Sequence, residues 1–346
     1  MRLGLLLGYS GKEIRLPFAL IEQAEQLGFN SVWVSEAYGS DAVSIAAWIL
    51  ARTDRIRVGT SIMQIPARTP ALCAMTAMSL AQLSGGRFIL GLGASGPQVV
   101  EGWHGQPYAG PLGRTREYVE IVRRIIAREE PIHYQGEHYQ LPYHGPGSVG
   151  LGKPLKSILA AVPDIPIYTA SITPAGLRLA GEIADGVFPV WMDPEQFKVL
   201  GEPLQQGFAK SGRDKGLRDF EVAPFVSALM GDDPVQCRLP VKEHLALYIG
   251  GMGARGKNFY RDYTVALGFA EAADTIQALY LAGQKQEAAA AVPDRLVDAI
   301  ALVGPRERIR DRLQVWKAAA ERREVGTMLV RTEQPELMQL LADELL

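Results

Sequence analysis

The chain has 346 residues, of which 47% are hydrophobic and 21% are charged, and its formal net charge is -2. This composition is typical of a globular protein with a sizeable core, and the charge argues against nucleic acid or anionic membranes as partners. Small molecules or further copies of the chain are the expected partners. Two cysteines, Cys73 and Cys237, are too few for a disulfide framework or a structural zinc site, which favours a reducing compartment.

The N-terminal apolar run, Leu3 to Gly8, predicts a first core strand rather than a signal peptide, because no small-residue cleavage site follows it. No other apolar run approaches the ~20 residues that a membrane span needs. We therefore expect a cytoplasmic protein.

Short apolar runs of strand length alternate with helical patterns along the chain, which predicts parallel strands covered by helices. The predicted strands are Leu3 to Gly8, Ser31 to Glu36, the start of Arg55 to Pro70, Arg87 to Leu92, Ile165 to Ala170, Gly186 to Val190, Phe220 to Leu229 and Val325 to Arg331. The predicted helices are Ile14 to Gly28, Ser44 to Ala51, Ala71 to Leu83, Arg114 to Arg128, Pro174 to Ala184, Pro194 to Lys210, Pro305 to Ala320 and Glu336 to Leu346.

Two segments interrupt the alternation. The first, about 131–154, contains a predicted hairpin, and the second, about 232–291, is mostly helical and contains Gly250-Gly251-Met252-Gly253-Ala254-Arg255. Eight strand-and-helix units of about 40 residues predict an α/β fold, a (β/α)8 TIM barrel in one domain over 1–346, with insertions after strands four and seven. A doubly wound open sheet is the alternative, but an eighth strand at the far end of the chain favours closure onto the first.

The third strand is disturbed where it ends. Gly59 removes a side chain, and Thr60 and Ser61 then place hydroxyl groups where a sheet interior favours hydrocarbon. Because ligands of parallel α/β proteins bind at the C-terminal ends of strands, we interpret this stretch as a surface that a flat molecule approaches closely.

Glycine-rich and hydroxyl-rich segments follow two later strands. Gly91 to Gly96 matches G-x-G-x-x-G, but we reject a Rossmann site because Pro97 to Gly105 is not expected to open a helix at once. A close backbone approach to a ligand and a loop with positive φ remain as alternatives. Tyr168 to Gly176 leads from a strand directly into a helix with proline in its first turn, which favours a phosphate site over a simple Thr173 cap.

Two side chains are candidates for acid–base chemistry. Glu36 ends strand two, where its alternative role is a salt bridge to Arg57 or Arg68, and His104 lies in the loop after strand four, where its alternative is a solvated surface position. His133 and His138 are expected to be exposed cross-strand neighbours in the hairpin rather than metal ligands, so no metal is predicted. Without a triad or a metal cluster, the chemistry has to come from a bound cofactor.

Several stretches, taken together and in order, resemble the bacterial luciferase-like superfamily of flavin- and coenzyme F420-dependent oxidoreductases. They are Arg2 to Leu5, Gly28 to Glu36, Arg55 to Pro70, Gly85 to Gly93, Leu179 to Gly186 and Val303 to Ile309. The loop Ser95 to Gly105 is most similar to the F420-dependent branch, which includes methylenetetrahydromethanopterin reductase and F420-dependent glucose-6-phosphate dehydrogenase.

The resemblance implies a homodimeric enzyme that binds coenzyme F420, or alternatively FMN, at the barrel mouth and transfers a hydride to or from the deazaflavin C5. It implies a cis peptide bond at Ser61-Ile62 behind the ring and a cofactor phosphate at the strand-five corner. Glu36 and His104 are the implied catalytic residues. The implied cofactor-binding residues are Ser35, Ser61, Ile62, Gln64, Ala94, Ser95, Thr169, Ala170, Ser171 and Ile172.

One position departs from the family pattern. Several F420-dependent relatives place a histidine after the strand-two carboxylate, whereas Ala37 follows Glu36 here. Removing a hydroxyl proton during hydride transfer needs a base, so sugar-phosphate and alcohol oxidation are in question, and reduction of an activated double bond is an alternative. A two-component FMN-dependent monooxygenase and a non-catalytic flavin-binding protein are the competing hypotheses.

Overall fold

The computed structural model describes residues 1–9, 11–253 and 258–346. The strands are β1 (Arg2–Leu6), β2 (Ser31–Val34), β3 (Arg57–Thr60), β4 (Met63–Gln64), β5 (Phe88–Gly93), β6 (Tyr134–Gln135), β7 (Gln140–Leu141), β8 (Ile167–Ala170), β9 (Gly186–Phe188), β10 (Glu221–Val222), β11 (Phe225–Met230), β12 (Leu302–Gly304) and β13 (Thr327–Arg331). The helices are α1 (Phe18–Gln26), α2 (Ala42–Leu50), α3 (Pro70–Leu83), α4 (Pro97–Gly102), α5 (Pro111–Ala127), α6 (Pro174–Ile183), α7 (Lys198–Lys210), α8 (Pro234–Ala246), α9 (Phe259–Ala266), α10 (Ala270–Leu281), α11 (Lys285–Ala290), α12 (Asp294–Ile300), α13 (Arg306–Glu321) and α14 (Pro335–Leu345). None of these helices is long and apolar enough to cross a membrane.

The main sheet is parallel and curled. Its strand order is β10-β9-β8-β5-β3-β2-β1-β13-β11-β12, and β4 continues β3 by pairing with β5. A further parallel bridge joins Val190, which follows β9, to Phe225 at the start of β11. All C-terminal strand ends therefore lie at one edge of the curled sheet, which we call the mouth.

The space inside the curled sheet is filled by side chains. The inner cluster comprises Leu6, Trp33, Ile89, Tyr168, Phe188, Ala223 and Leu329. Within it, the ring of Trp33 stacks on Tyr168 at a centroid distance of 5.8 Å and meets Phe188 edge-on at 5.0 Å. A larger cluster of apolar residues packs between the sheet and the helices. The inner cluster is thus the floor of the mouth.

Gly59 serves this inner packing. A Cβ atom at Gly59 would lie 2.2 Å from the indole of Trp33, which is 1% exposed. The missing side chain therefore makes room for a tryptophan from the neighbouring strand, and the interpretation that Gly59 admits a flat ligand was wrong.

Strand three carries one extra residue. Gly59 pairs with Ile89, but Met63 pairs with Leu92, so four steps along β3 and β4 match three steps along β5. The Ser61-Ile62 peptide bond within this bulge is cis, as the family resemblance implied. Where the ladder is interrupted, the Thr60 hydroxyl accepts from the Gly91 amide at 2.9 Å and donates to the Gly91 carbonyl at 2.8 Å. A side chain therefore replaces the missing backbone partner.

Most predicted elements are present, with shifted ends. Predicted strand seven is divided by Ala223 and Pro224 into β10 and β11. The eighth unit begins with the stretch Val292 to Ala301, expected before the helix Pro305 to Ala320, and this stretch is mainly the helix α12. The hairpin forms only as the short pair β6 and β7. The second interruption contains α8 to α11, with a π-helical turn at Leu247–Gly251. Of the glycine-rich stretch singled out there, Ala254 and Arg255 lie outside the described residues.

We expect Thr60→Val to destabilise the protein, because valine fills the same space but leaves two buried Gly91 groups without partners. The expected loss is about 1–3 kcal/mol for each unpaired group. Urea unfolding measures it, with Thr60→Ser as the control that keeps the hydroxyl. Equal stabilities of the valine and serine variants would contradict this role for Thr60.

Candidate functional site

The predicted site residues gather along one side of the mouth. β8, β5, β3 with β4, and β2 are consecutive neighbours in the sheet, and their C-terminal ends carry every predicted cofactor-binding residue. We call this side the bulge half. The other side, formed by the ends of β1, β13, β11 and β9, contains none of the predicted residues.

The bulge forms the centre of this half. Ile62 packs on the inner cluster, and Ser61 is buried with its amide donating to the Val34 carbonyl at 2.7 Å. The Ser35 hydroxyl donates to the Leu7 carbonyl at 3.2 Å. Gln64 is 1% exposed and donates through Nε2 to the Ala37 carbonyl at 2.6 Å, while its Oε1 has no partner among the described residues. Gln64 thus presents a buried acceptor that still lacks a donor.

The glycines of β5 accommodate the bulge. A Cβ atom at Gly91 would lie 1.7 Å from the Thr60 carbonyl oxygen, and one at Gly93 would lie 2.8 Å from the Ile62 side chain. Both therefore serve close contact with strand three. The reason given for rejecting a Rossmann site was wrong, because α4 begins at Pro97 directly after Gly96.

Ala94 and Ser95 continue from β5 as half-buried residues. Ser95 has a φ of 60°, and its carbonyl accepts from the Tyr108 hydroxyl at 3.3 Å. This left-handed conformation turns the chain away from the sheet toward the loop that contains His104.

The predicted phosphate corner lies at the start of α6. Thr169 is buried, Ala170 is exposed, and Ser171 and Ile172 are half-buried. Thr173 caps the helix by accepting from the Gly176 amide at 3.1 Å, so the simple cap is present. The helix N-terminus and the Ser171 hydroxyl also lie together, since a Cβ atom at Gly176 would be 2.0 Å from Ser171 Oγ. This corner combines a partial positive charge with a hydroxyl donor.

Glu36 forms the salt bridge that was its alternative role. Its carboxylate accepts from Arg68 Nη1 at 2.8 and 3.0 Å, and the two side chains are 7% and 13% exposed. The Cys73 thiol is close to this pair and is fully buried, and burial raises its pKa to about 11. Cys73 is therefore a protonated core residue at neutral pH.

His104 is half-buried in the loop after α4. Its Nε2 atom is buried and has no hydrogen-bond partner among the described residues. The neighbouring Trp103 is exposed and lies 6.5 Å from the ring of Tyr38, which follows β2. The loop after β5 thus reaches the residues that follow β2.

The two hairpin histidines lie outside β6 and β7. His133 is exposed, as expected, but His138 is half-buried against Gly110 and Gly113 at the start of α5. They are therefore not cross-strand neighbours. In residues 1–9, 11–253 and 258–346, no group of three potential metal ligands lies together.

The second half of the mouth carries residues that the sequence analysis missed. Trp191 follows β9, His244 and Tyr248 lie one helical turn apart at the end of α8, Tyr260 lies in α9, and Arg331 ends β13. Burial, followed by the positive charge of Arg331, lowers the pKa of His244 to about 4. Two signals in the sequence indicate these residues. One is a polar or aromatic residue directly after a predicted strand, and the other is the His-x-x-x-Tyr spacing of His244 and Tyr248.

A separate cavity of about 640 Å³ lies at the opposite, N-terminal ends of the strands. Its lining includes Arg2, Tyr168, Asp185 and Glu221. Arg2 pairs there with Glu221, whose carboxylate also accepts from the Thr327 hydroxyl at 2.6 Å. Polar residues at this end of a curled parallel sheet are typically structural, so we place the candidate site at the mouth.

Comparisons with known proteins identify the family and agree with the fold. A model of a family described as luciferase-like monooxygenase matches residues 3–322. The chain is 45% identical over 321 residues to the putative coenzyme F420-dependent oxidoreductase Rv3520c of Mycobacterium tuberculosis, with 92% of each chain covered.

Two solved structures show the same fold. Coenzyme F420-dependent tetrahydromethanopterin reductase from Methanopyrus kandleri has a TM-score of 0.76 and 22% identity, over 99% of this chain and 97% of that chain. The FMN complex of the oxygenating constituent of 3,6-diketocamphane monooxygenase from Pseudomonas putida has a TM-score of 0.65 and 19% identity, over 99% and 97%. On the family match and the 45% identity, the chain belongs to the luciferase-like monooxygenase family.

Proposed function

We propose that the protein is a coenzyme F420-dependent oxidoreductase that transfers a hydride between the deazaflavin C5 and a small organic substrate. The observation that carries this proposal is the 45% identity, over 92% of both chains, to a protein named for F420 dependence. The shared fold of an FMN complex keeps FMN as the alternative cofactor.

We infer that the curled sheet is a complete (β/α)8 barrel within a single domain, interrupted by insertions at about 131–154 and 232–291. The segment that contains β10 and β11 supports closure from both sides. Its Phe225 amide donates to the Pro189 carbonyl at 3.1 Å, while β11 pairs with β13, which pairs with β1.

Two thiols, Cys73 and Cys237, are buried and unbridged, which supports a cytoplasmic location.

The bulge half has groups suited to a deazaflavin. The unpartnered Gln64 Oε1 needs a donor, and Ile62 offers an apolar surface above the inner cluster. The α6 N-terminus and Ser171 suit a phosphate. The proposed cofactor-binding residues are Ser35, Ser61, Ile62, Gln64, Ala94, Ser95, Thr169, Ala170, Ser171 and Ile172. The bound cofactor would supply the hydride chemistry, and the protein would position it and exclude water.

Glu36 and His104 are the proposed catalytic residues. Glu36 is held by Arg68, so its carboxylate has a fixed position at the end of strand two. His104 has a ring nitrogen without a protein partner, which leaves it available for hydrogen bonding. Ala37 supplies only its carbonyl group, to Gln64.

Coenzyme F420 should bind the purified protein more tightly than FMN does, and Ser171→Asp should abolish binding because a carboxylate would repel the phosphate. Fluorescence titration measures both affinities. Ser171→Asn is the matched control, since it adds nearly the same volume without charge. Tight FMN binding without F420 binding would contradict the proposed cofactor, and equal affinities of the aspartate and asparagine variants would contradict the phosphate position.

Glu36→Gln should reduce turnover while sparing F420 binding. Reduction of cyclohex-2-enone by reduced F420, followed as a function of pH, measures the effect. Arg68→Gln is the comparison, because it breaks the same salt bridge but keeps the carboxylate. If both variants lower the rate equally and leave the same pH profile, Glu36 serves only as the structural partner of Arg68.

We further infer a homodimer that forms through the outer faces of α2 and α3. Neither helix contains a charged residue, although both cover the outside of the sheet. Trp48 on α2 and Leu72, Met75 and Leu83 on α3 are 59%, 49%, 54% and 86% exposed. The three α3 residues lie within one side of the helix, and such a continuous apolar face is typical of a subunit interface.

Met75→Glu should convert the dimer to a monomer, because it places two like charges in an apolar contact. Size-exclusion chromatography with light scattering gives the mass. Leu281→Glu is the control, since Leu281 is 47% exposed on α10, away from the proposed interface. A monomeric wild-type protein at micromolar concentration, or a dimeric Met75→Glu variant, would contradict this interface.

A further inference from the structure

The second half of the mouth has an aromatic wall. The ring of Trp191 lies 5.3 Å from that of Tyr260, Tyr260 lies 4.8 Å from Tyr248, and Tyr248 lies 4.5 Å from His244. These residues come from the end of β9 and from the insertion after β11. The insertion therefore supplies most of the wall, and binding residues are often carried by segments that follow the strands of a rigid sheet.

Arg331 lies beside this wall without a countercharge. It is exposed at the end of β13, and its guanidinium lies over Gly8, where a Cβ atom would be 3.5 Å from Nη2. Within the described part of the chain it forms no ion pair, whereas Arg68, which follows β4 on the bulge half, is paired with the Glu36 carboxylate. A cation in this position attracts an anion.

Among the described residues, the groups that act on His244, Tyr248 and Tyr260 include no carboxylate that would offset Arg331. Burial is the largest influence on the pKa of His244 and of Tyr248, and the positive charge of Arg331 lowers both values. The other side chains that influence the pKa of Tyr248 are the phenols of Tyr9 and Tyr260, which raise it. Burial, followed by the neighbouring Tyr9 and Tyr108, raises the pKa of Tyr260 to about 12. At neutral pH the wall therefore consists of neutral rings and phenol donors next to one positive charge.

We propose that this half of the mouth is the substrate subsite and that it binds a planar unsaturated molecule with a carboxylate, which Arg331 pairs while the half-buried rings of Tyr248 and Tyr260, backed by the buried Trp191, contact the body. This rests on the proposed function for the reaction, but the binding site is defined by the chain alone. Tyr108 links the two halves, because its hydroxyl donates to the Ser95 carbonyl of the bulge half and its phenol also acts on Tyr260 of the wall. A substrate on the wall would therefore lie toward the proposed cofactor position. Arginine suits a carboxylate because its fork can donate two parallel hydrogen bonds.

The acidic tail of the cofactor is a second source of the same oxyanion chemistry. The proposed phosphate corner at α6 follows β8 on the bulge half, whereas Arg331 ends β13, which lies between β1 and β11 on the other half. We therefore assign Arg331 to the substrate, and the experiment below separates the two sources.

The test uses the full chain without cofactor and measures the binding of cinnamate and methyl cinnamate by calorimetry. We expect cinnamate to bind at least about tenfold more tightly than its ester, and Arg331→Gln to remove this difference while leaving ester binding unchanged. Arg323→Gln is the matched control. Arg323 is also exposed and without an ion pair among the described residues, but it lines the cavity at the opposite ends of the strands.

Each outcome is decisive. Equal binding of acid and ester, no cinnamate binding, or an unchanged cinnamate affinity in Arg331→Gln would overturn the subsite. A loss of F420 affinity in Arg331→Gln with unchanged cinnamate binding would assign Arg331 to the cofactor tail and would also overturn it. Arg331-dependent cinnamate binding by a wild-type protein that does not bind F420 would support the subsite and refute only the proposed function.

Discussion

The extra residue in strand three is the constraint on which the mouth depends. A strand that gains one residue loses its register with its neighbour, and here the Thr60 hydroxyl replaces the missing backbone partner on both Gly91 groups. The close approach also requires that Gly91 and Gly93 have no side chains. With these adjustments β4 pairs with β5 again, and Ile62 is placed over the aromatic floor. The positions of Ser61, Ile62 and Gln64 in the mouth follow from these adjustments.

The electrostatics of the mouth differ from those of the whole chain. The net charge is -2, yet the carboxylate of Glu36 is already paired with Arg68, the N-terminus of α6 is partially positive, and Arg331 has no ion pair among the described residues. Overall composition argued against nucleic acid as a partner but gave no information about this local excess of positive charge. A local field of this kind favours anionic ligands in a protein that is itself slightly acidic.

The alternation of strands and helices was predictable because each element has its own hydrophobic period, and the family resemblance identified the cis bond at Ser61-Ile62. Gly59 was misinterpreted because its contact, Trp33, is 26 residues away in sequence and one strand away in space. The wall around Tyr248 and the charge of Arg331 were missed for the same reason, since β1, β11 and β13 meet only in the folded sheet. The local pattern of hydrophobic residues predicts the helices and strands, whereas a binding site depends on contacts between segments that are distant in the sequence.

Ala37 places no imidazole after strand two, and Arg331 places a cation at the end of β13. Both features suit the reduction of an α,β-unsaturated carboxylate. Addition of a hydride to the β-carbon of an α,β-unsaturated carboxylate moves an electron pair onto the carboxylate oxygens, and a proton then adds at the α-carbon. An oxyanion bound at Arg331 would gain negative charge as the hydride arrives, so the guanidinium would bind the transition state more strongly than the substrate. Oxidation of an alcohol, in contrast, needs a base at the hydroxyl group, and the methyl side chain of Ala37 cannot act as that base.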